Sequence, residues 1–202
     1  MKNIAILGST GSIGRNALLV ARNFPDRYRV IGLSANSNID LLYKQIKIFQ
    51  PKFVSLSSEP AAEKLKKRLG NRKIKVFSGI EGASEIAKVK QLDTLVMAIS
   101  GSSALIPLLS AIKEAKTIAL ANKESLVMAG EIILKSASMH RAKIIPVDSE
   151  ESAIWQCLEN NKPGDIKNIY LTASGGPLRN FSRKQLRSVS VEMALNHPRW
   201  RM

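Results

Sequence analysis

The chain has 202 residues, 45% of them hydrophobic and 23% charged, with a formal charge of +15 and one cysteine. That length suits one large domain, or one domain with part of another; no apolar run approaches the ~20 residues of a membrane helix, and Met1-Lys2 leads at once into a strand-like run and a glycine loop rather than a cleavable leader. A cytoplasmic protein without a membrane partner is therefore expected, and with aromatics at only 5% there is no base-stacking platform to make nucleic acid a partner despite the charge.

Asn3–Leu7 reads as a first apolar strand, and "GSTGSIG" follows it directly, ahead of a helical pattern over Ser12–Phe24. Gly8 at the strand end permits a tight turn, Gly11 lets backbone approach a pyrophosphate, and Gly14 lets the helix pack closely on the strand. The N–H groups at the helix start then face the phosphates. The spacing is G-x-x-G-x-x-G, which also serves as a plain turn, but its place in a first βαβ unit points to a dinucleotide. The second strand, Arg29–Ser34, runs into "LSANSN", where NAD-binding chains usually carry Asp or Glu. Ser34, Asn36, Ser37 and Asn38 are neutral, so nothing there repels a 2′-phosphate, and NADPH is favoured over NADH. The same residues suit the N-cap of the Ile39–Phe49 helix, and both readings can hold.

Further strands are expected at Phe53–Ser57, Lys73–Phe77, Thr94–Ile99, Thr117–Leu120, Lys143–Val147 and Asn168–Ala173, with helices at Pro60–Leu69, Ser103–Glu114, Ser125–Ser138 and Glu151–Glu159. Unbroken apolar strands alternating with helices imply an α/β fold, Rossmann-like and doubly wound, with a mostly parallel sheet. The alternation holds as far as Val147 and then weakens. A boundary is placed there: residues 1–147 form a nucleotide-binding domain, and 148–202 begin a second α+β catalytic domain that the chain does not complete.

In such a sheet ligands bind outside the carboxyl ends of the strands. "LANKESLV" stands at one end, with Asn122 able to cap a helix and Lys123 and Glu124 directed to the cleft or forming a solvated pair. "DSE" stands at the next. Asp148 and Glu150 can converge on a hard cation, Mg²⁺ or Mn²⁺. They also fit helix N-terminal acids, with Asp148 and Glu151 as a capping-box-like pair. Ser174 in "ASGGP" offers a hydroxyl and nearby N–H groups to an anion, or marks a turn. Cys157 reads as a small core residue.

Taken together, "GSTGSIG", "LANKESLV", "PVDSE", "ASGGP" and "HPRWRM" resemble the 1-deoxy-D-xylulose 5-phosphate reductoisomerase family throughout the chain. The resemblance implies an NADPH- and metal-dependent rearrangement and reduction to 2-C-methyl-D-erythritol 4-phosphate, in non-mevalonate isoprenoid biosynthesis. It assigns Thr10, Gly11, Ser12 and Ile13 to the cofactor phosphates, Ala35, Asn36, Ser37 and Asn38 to the adenosine phosphate, and Asn122, Glu124 and Met202 to further cofactor contacts. Lys123 and Glu150 become catalytic residues that also touch the phosphorylated sugar, together with Ser149, Ser174, His197 and Trp200; Asp148 and Glu150 become metal ligands. Asn36, Glu151 and Arg199 stand where the family commonly has Gly, His and Asn. Family members run on for nearly as many residues again, with a third metal carboxylate and more phosphate ligands, and form homodimers. The chain alone is therefore expected to bind NADPH without turnover.

Overall fold

Short apolar runs make the strands: β1 Lys2–Leu7, β2 Tyr28–Ala35, β3 Phe53–Leu56, β4 Lys75–Ser78, β5 Thr94–Met97, β6 Thr117–Leu120 and β7 Lys143–Pro146. They pair in the order β4-β3-β2-β1-β5-β6-β7, and every neighbouring pair is parallel. The computed structural model describes residues 1–115, 117–170 and 176–196, with the backbone alone at Ile80 and Pro163. Among the described residues no helix is long and apolar enough to cross a membrane.

The helices are α1 Ser12–Asn23, α2 Ile39–Phe49, α3 Glu59–Leu69, α4 Gly79–Ala87, α5 Leu105–Ile112, α6 Lys123–His140, α7 Ser149–Leu158, α8 Arg183–Leu186 and α9 Val191–Leu195. Successive strand residues point to opposite faces, so β1 feeds two cores. Ile6 packs with Leu18 of α1, Leu42 and Ile46 of α2 and Leu65 of α3. Leu7 packs with Ile86 of α4, Leu108 of α5 and Ile133 of α6. Both β1 residues are wholly buried, and each such aliphatic side chain contributes about 1.5–3 kcal/mol. Burial on both faces is why these strands read as continuous apolar runs.

The winding reverses at β1. The chain steps outward through β2, β3 and β4, then returns by α4 to lay β5 on the other side of β1. That reversal opens a crevice at the carboxyl ends of the central strands.

Helix α4 has no counterpart among the expected helices, because Gly79 and Gly82 break up "GIEGASEIA". The second glycine is there for proximity. A Cβ on Gly82 would sit 2.5 Å from Ser55 Oγ and 3.1 Å from Phe77 Cβ. Gly32 of β2 yields in the same way to Ile86, whose Cγ2 would be 2.5 Å from an added Cβ. The helix therefore lies low on the sheet.

The chain forms two compact units, Met1–Trp155 and Gln156–Met202. In the second, α8 and α9 are N-capped by Ser182 and Ser190, the former in a capping box with Gln185. Of the strand expected over 168–173, residues 168–170 are not in a strand. A strand needs a neighbour to accept its ladder bonds, and no partner stands beside them among the described residues. Residues 171–173 lie outside the described residues.

Candidate functional site

The glycine loop leaves β1 at Gly8, whose φ is +86°. A Cβ there would land on the carbonyl oxygen of Ala98 and lie 2.9 Å from the nitrogen of Ile99. The Gly8 and Ser9 N–H groups both donate to the Ser34 carbonyl, at 3.1 and 2.7 Å, and Gly8 N–H also reaches Ser34 Oγ at 3.0 Å. The Ser34 hydroxyl is thus used inside the protein. Gly11 N–H closes the turn on the Gly8 carbonyl at 3.1 Å. A Cβ on Gly14 would overlap that same carbonyl oxygen, so α1 starts hard against the loop. Gly11 caps α1 without a side chain, and no acid stands in the first turn. The helix start is left open to an anion.

A cleft of about 410 Å³ opens beside the loop, lined by Gly8, Thr10, Gly11, Ser34, Asn36, Ser57, Ala83, Ala98, Ile99, Ser100 and Ser103. None of these carries a carboxylate. Of the expected cofactor residues, Thr10, Gly11 and Asn36 line this cleft. Ser12 lies along a groove between α1 and α2, and Ile13 along an apolar hollow beside β5. Ala35 is buried at the end of β2, Ser37 is exposed, and Asn38 caps α2 by accepting from Leu41 N–H at 3.1 Å. The wall formed by Ser57, Ala98, Ile99, Ser100 and Ser103 carries no motif in the sequence. Only the strand order, with β3 next to β2 and β5 next to β1, brings it there.

Asn122 is buried between β6 and α6. Its Nδ2 lies 3.0 Å from the Ile99 carbonyl, 3.1 Å from that of Gly101 and 2.9 Å from Glu124 Oε2. Its Oδ1 accepts from Ser125 N–H at 2.9 Å and from the Ser125 hydroxyl. Glu124 Oε1 accepts from Gly101 N–H at 3.2 Å. One buried amide thus caps α6 and ties it to the loop after β5.

Lys123 reaches the end of β7, where its Nζ lies 3.1 Å from Asp148 Oδ2. Asp148, Glu150 and Glu151 each offer a carboxylate oxygen within 4.8 Å of the others. Glu151, read from sequence as a helix cap, therefore joins the cluster. Its carboxyl hydrogen-bonds Asp148, which pushes the Glu151 carboxyl above its ordinary range and holds Asp148 below it. The Asp148 hydrogen bond and charge hold the Lys123 ammonium above its usual value. Three carboxylates crowded together beside a single ammonium concentrate negative charge. Hard oxygen donors converging in this way fit Mg²⁺ or Mn²⁺, with Asp148, Glu150 and Glu151 as the side chains able to hold it.

The family model described as 1-deoxy-D-xylulose 5-phosphate reductoisomerase matches residues 4–130, and that of the same enzyme's C-terminal domain matches residues 144–202. The chain belongs to the 1-deoxy-D-xylulose 5-phosphate reductoisomerase family. A reductoisomerase of Thermodesulfovibrio yellowstonii is 50% identical over 203 residues, covering 100% of this chain and 52% of that protein. One from Chlorobium phaeobacteroides is 46% identical, covering 100% and 53%. The Zymomonas mobilis reductoisomerase, solved in complex with NADPH, superposes with a TM-score of 0.89 at 36% identity, covering 98% of this chain and 52% of that one. A second reductoisomerase, solved with NADPH, fosmidomycin and magnesium, gives 0.86 at 39% identity, covering 100% and 52%. The chain thus spans about half the length of the reductoisomerases it matches. Of the residues the resemblance singles out, Ser174, His197, Trp200 and Met202 lie outside the described residues.

Proposed function

We propose that this chain carries the cofactor- and metal-binding half of a reductoisomerase that converts 1-deoxy-D-xylulose 5-phosphate to 2-C-methyl-D-erythritol 4-phosphate. The observation that carries the reading is the meeting of Asp148, Glu150 and Glu151 with Lys123 at the ends of β6 and β7. The carboxylate-free cleft beside the glycine loop supports NADPH as the cofactor. Relatives solved with NADPH and magnesium support both groups. When bound, the cation supplies polarisation of the substrate's carbonyl and hydroxyl oxygens, and NADPH supplies the hydride.

The chain's own residues orient and discriminate. Thr10, Gly11, Ser12 and Ile13 form the loop and helix start that meet the pyrophosphate, with Gly11 giving close backbone approach while its own N–H closes the turn on Gly8. Ala35, Asn36, Ser37 and Asn38 meet the adenosine phosphate with neutral groups that leave a 2′-phosphate unopposed. Asn122 and Glu124 hold the loop after β5 in place against the cofactor, and Met202 approaches the nicotinamide. Asp148 and Glu150 ligate Mg²⁺ or Mn²⁺, and Glu151 adds a nearby carboxylate. Lys123, whose Nζ lies beside Asp148, meets the substrate as a cation. Ser149, Glu150, Ser174, His197 and Trp200 complete the substrate contacts. In this reading residues 1–147 form the NADPH domain and 148–202 begin the catalytic domain. The full-length enzyme is a cytoplasmic homodimer without nucleic-acid or membrane partners.

A second reading concerns the 202-residue chain alone: it binds NADPH without turnover, because it spans only about half of its relatives' length. Calorimetric titration with NADPH and NADH tests the common part of both. NADPH is expected to bind the more tightly. Equal affinities would refute the 2′-phosphate argument, and product formed by the purified chain would refute the second reading.

A further inference from the structure

Gln45 stands on the face of α2 that packs against the sheet. Its neighbours on that face, Leu42 and Ile46, are wholly buried, and Gln45 itself is only 5% exposed. A buried amide is unfavourable among aliphatic side chains unless both of its ends are hydrogen-bonded. Both are, and to the same residue. Ser9 Oγ donates to Gln45 Oε1 at 2.7 Å, and Gln45 Nε2 donates to the Ser9 carbonyl at 2.8 Å. The two residues are 36 positions apart, and Ser9 has no exposed surface.

Ser9 sits between Gly8 and Thr10 in the glycine loop. Its N–H donates to the Ser34 carbonyl at 2.7 Å. The N–H is thus held by β2, and the hydroxyl and carbonyl are held by α2. None of these three groups is left for a ligand. Their hydrogen bonds fix the loop from behind, while Thr10 and Gly11 line the cleft in front. A loop held in its bound shape loses less conformational freedom when the ligand arrives.

We propose that Gln45 is a positioning residue for the cofactor, whose amide clamps Ser9 and so presets the glycine loop for the pyrophosphate. The inference rests on the NADPH reading above. It concerns the pyrophosphate, which NADPH and NADH share, so its signature differs from that of a residue acting at the 2′-phosphate.

The test uses the full chain and the substitutions Gln45→Met, which keeps length without the amide, and Ser9→Ala, which removes only the hydroxyl. Each protein is titrated with NADPH and with NADH, and melted without ligand. Gln45→Met is expected to weaken both dinucleotides about tenfold, with their ratio unchanged. Ser9→Ala is expected to weaken both by less, and to add little on top of Gln45→Met, because its partner is already gone. Unchanged affinities with a lowered melting temperature would mean that Gln45 only holds α2, and would overturn the proposal. So would an altered NADPH-to-NADH ratio. Should Gln45→Met fail to fold, Ser9→Ala decides, and unchanged affinity in that variant overturns the clamp. An unmodified chain that binds neither dinucleotide overturns the cofactor reading and the clamp with it. An unmodified chain that binds, beside variants that bind equally well, overturns the clamp alone.

Discussion

Gly8→Ala strikes the site where the sheet is least able to yield. At a φ of +86° a side chain strains the backbone by about 1–2 kcal/mol. The new Cβ would also press on the Ala98 carbonyl, 2.6 Å from its carbon. Relief requires β1 and β5 to separate, but Ala98 N–H donates to the Leu7 carbonyl at 2.8 Å just behind the contact. Forcing atoms into such a packed place costs about 1–3 kcal/mol. The sum is about 2–5 kcal/mol, out of the ~5–15 kcal/mol that stabilises a typical domain. At ~2–4 °C per kcal/mol for a domain of this size, the melting temperature should fall by about 4–20 °C. Calorimetric melting with and without NADPH reads both consequences, because the displaced loop should also lose much of the stabilisation that ligand confers. A variant that melts within about 2 °C of the parent, and gains as much from NADPH, would show that the turn at Gly8 is not as tight as described.

Asp148→Asn should remove Mn²⁺ binding, read by electron paramagnetic resonance, and abolish turnover in the full-length enzyme while leaving NADPH affinity nearly intact. Loss of both together would indicate misfolding rather than a metal role. Lys123→Met should leave the melting temperature almost unchanged, since the Lys123 side chain is 61% exposed and solvent screens its ion pair with Asp148. Turnover of the full-length enzyme should nevertheless fall by about 100-fold or more; a variant with parental kinetics would remove Lys123 from the substrate contacts.

What the sequence discloses depends on how local each cause is. Ile4–Leu7, Val30–Leu33 and Leu95–Met97 announce strands because burial on both faces demands consecutive apolar residues. Asn38 and Asn122 announce helix starts because capping is decided within three residues. Helix α4 is hidden because Gly82 answers first to Ser55, which is distant in sequence. The cleft wall at Ala98–Ser103 was hidden for a related reason: nothing in "AISGSS" reveals that β5 lies beside β1. Spacing pairs Glu151 with Asp148 at the helix end, and the turn between β7 and α7 adds Glu150 to the same cluster. The Ser9–Gln45 pair had no local signal at all.

The depth at which α4 sits bears on the width of the cofactor cleft. Ala83, the residue after Gly82, is one of the cleft's walls. The helix is let down onto the sheet at two points, by Gly82 over Ser55 and by Gly32 under Ile86. These glycines act as a gauge: the space left for a ligand is set by how far a helix can sink where the ligand never reaches. A methyl group at Gly82 would raise the helix and carry Ala83 with it. The caliper of the binding site is thus adjusted from beneath, by residues that an inspection of cofactor contacts alone would pass over.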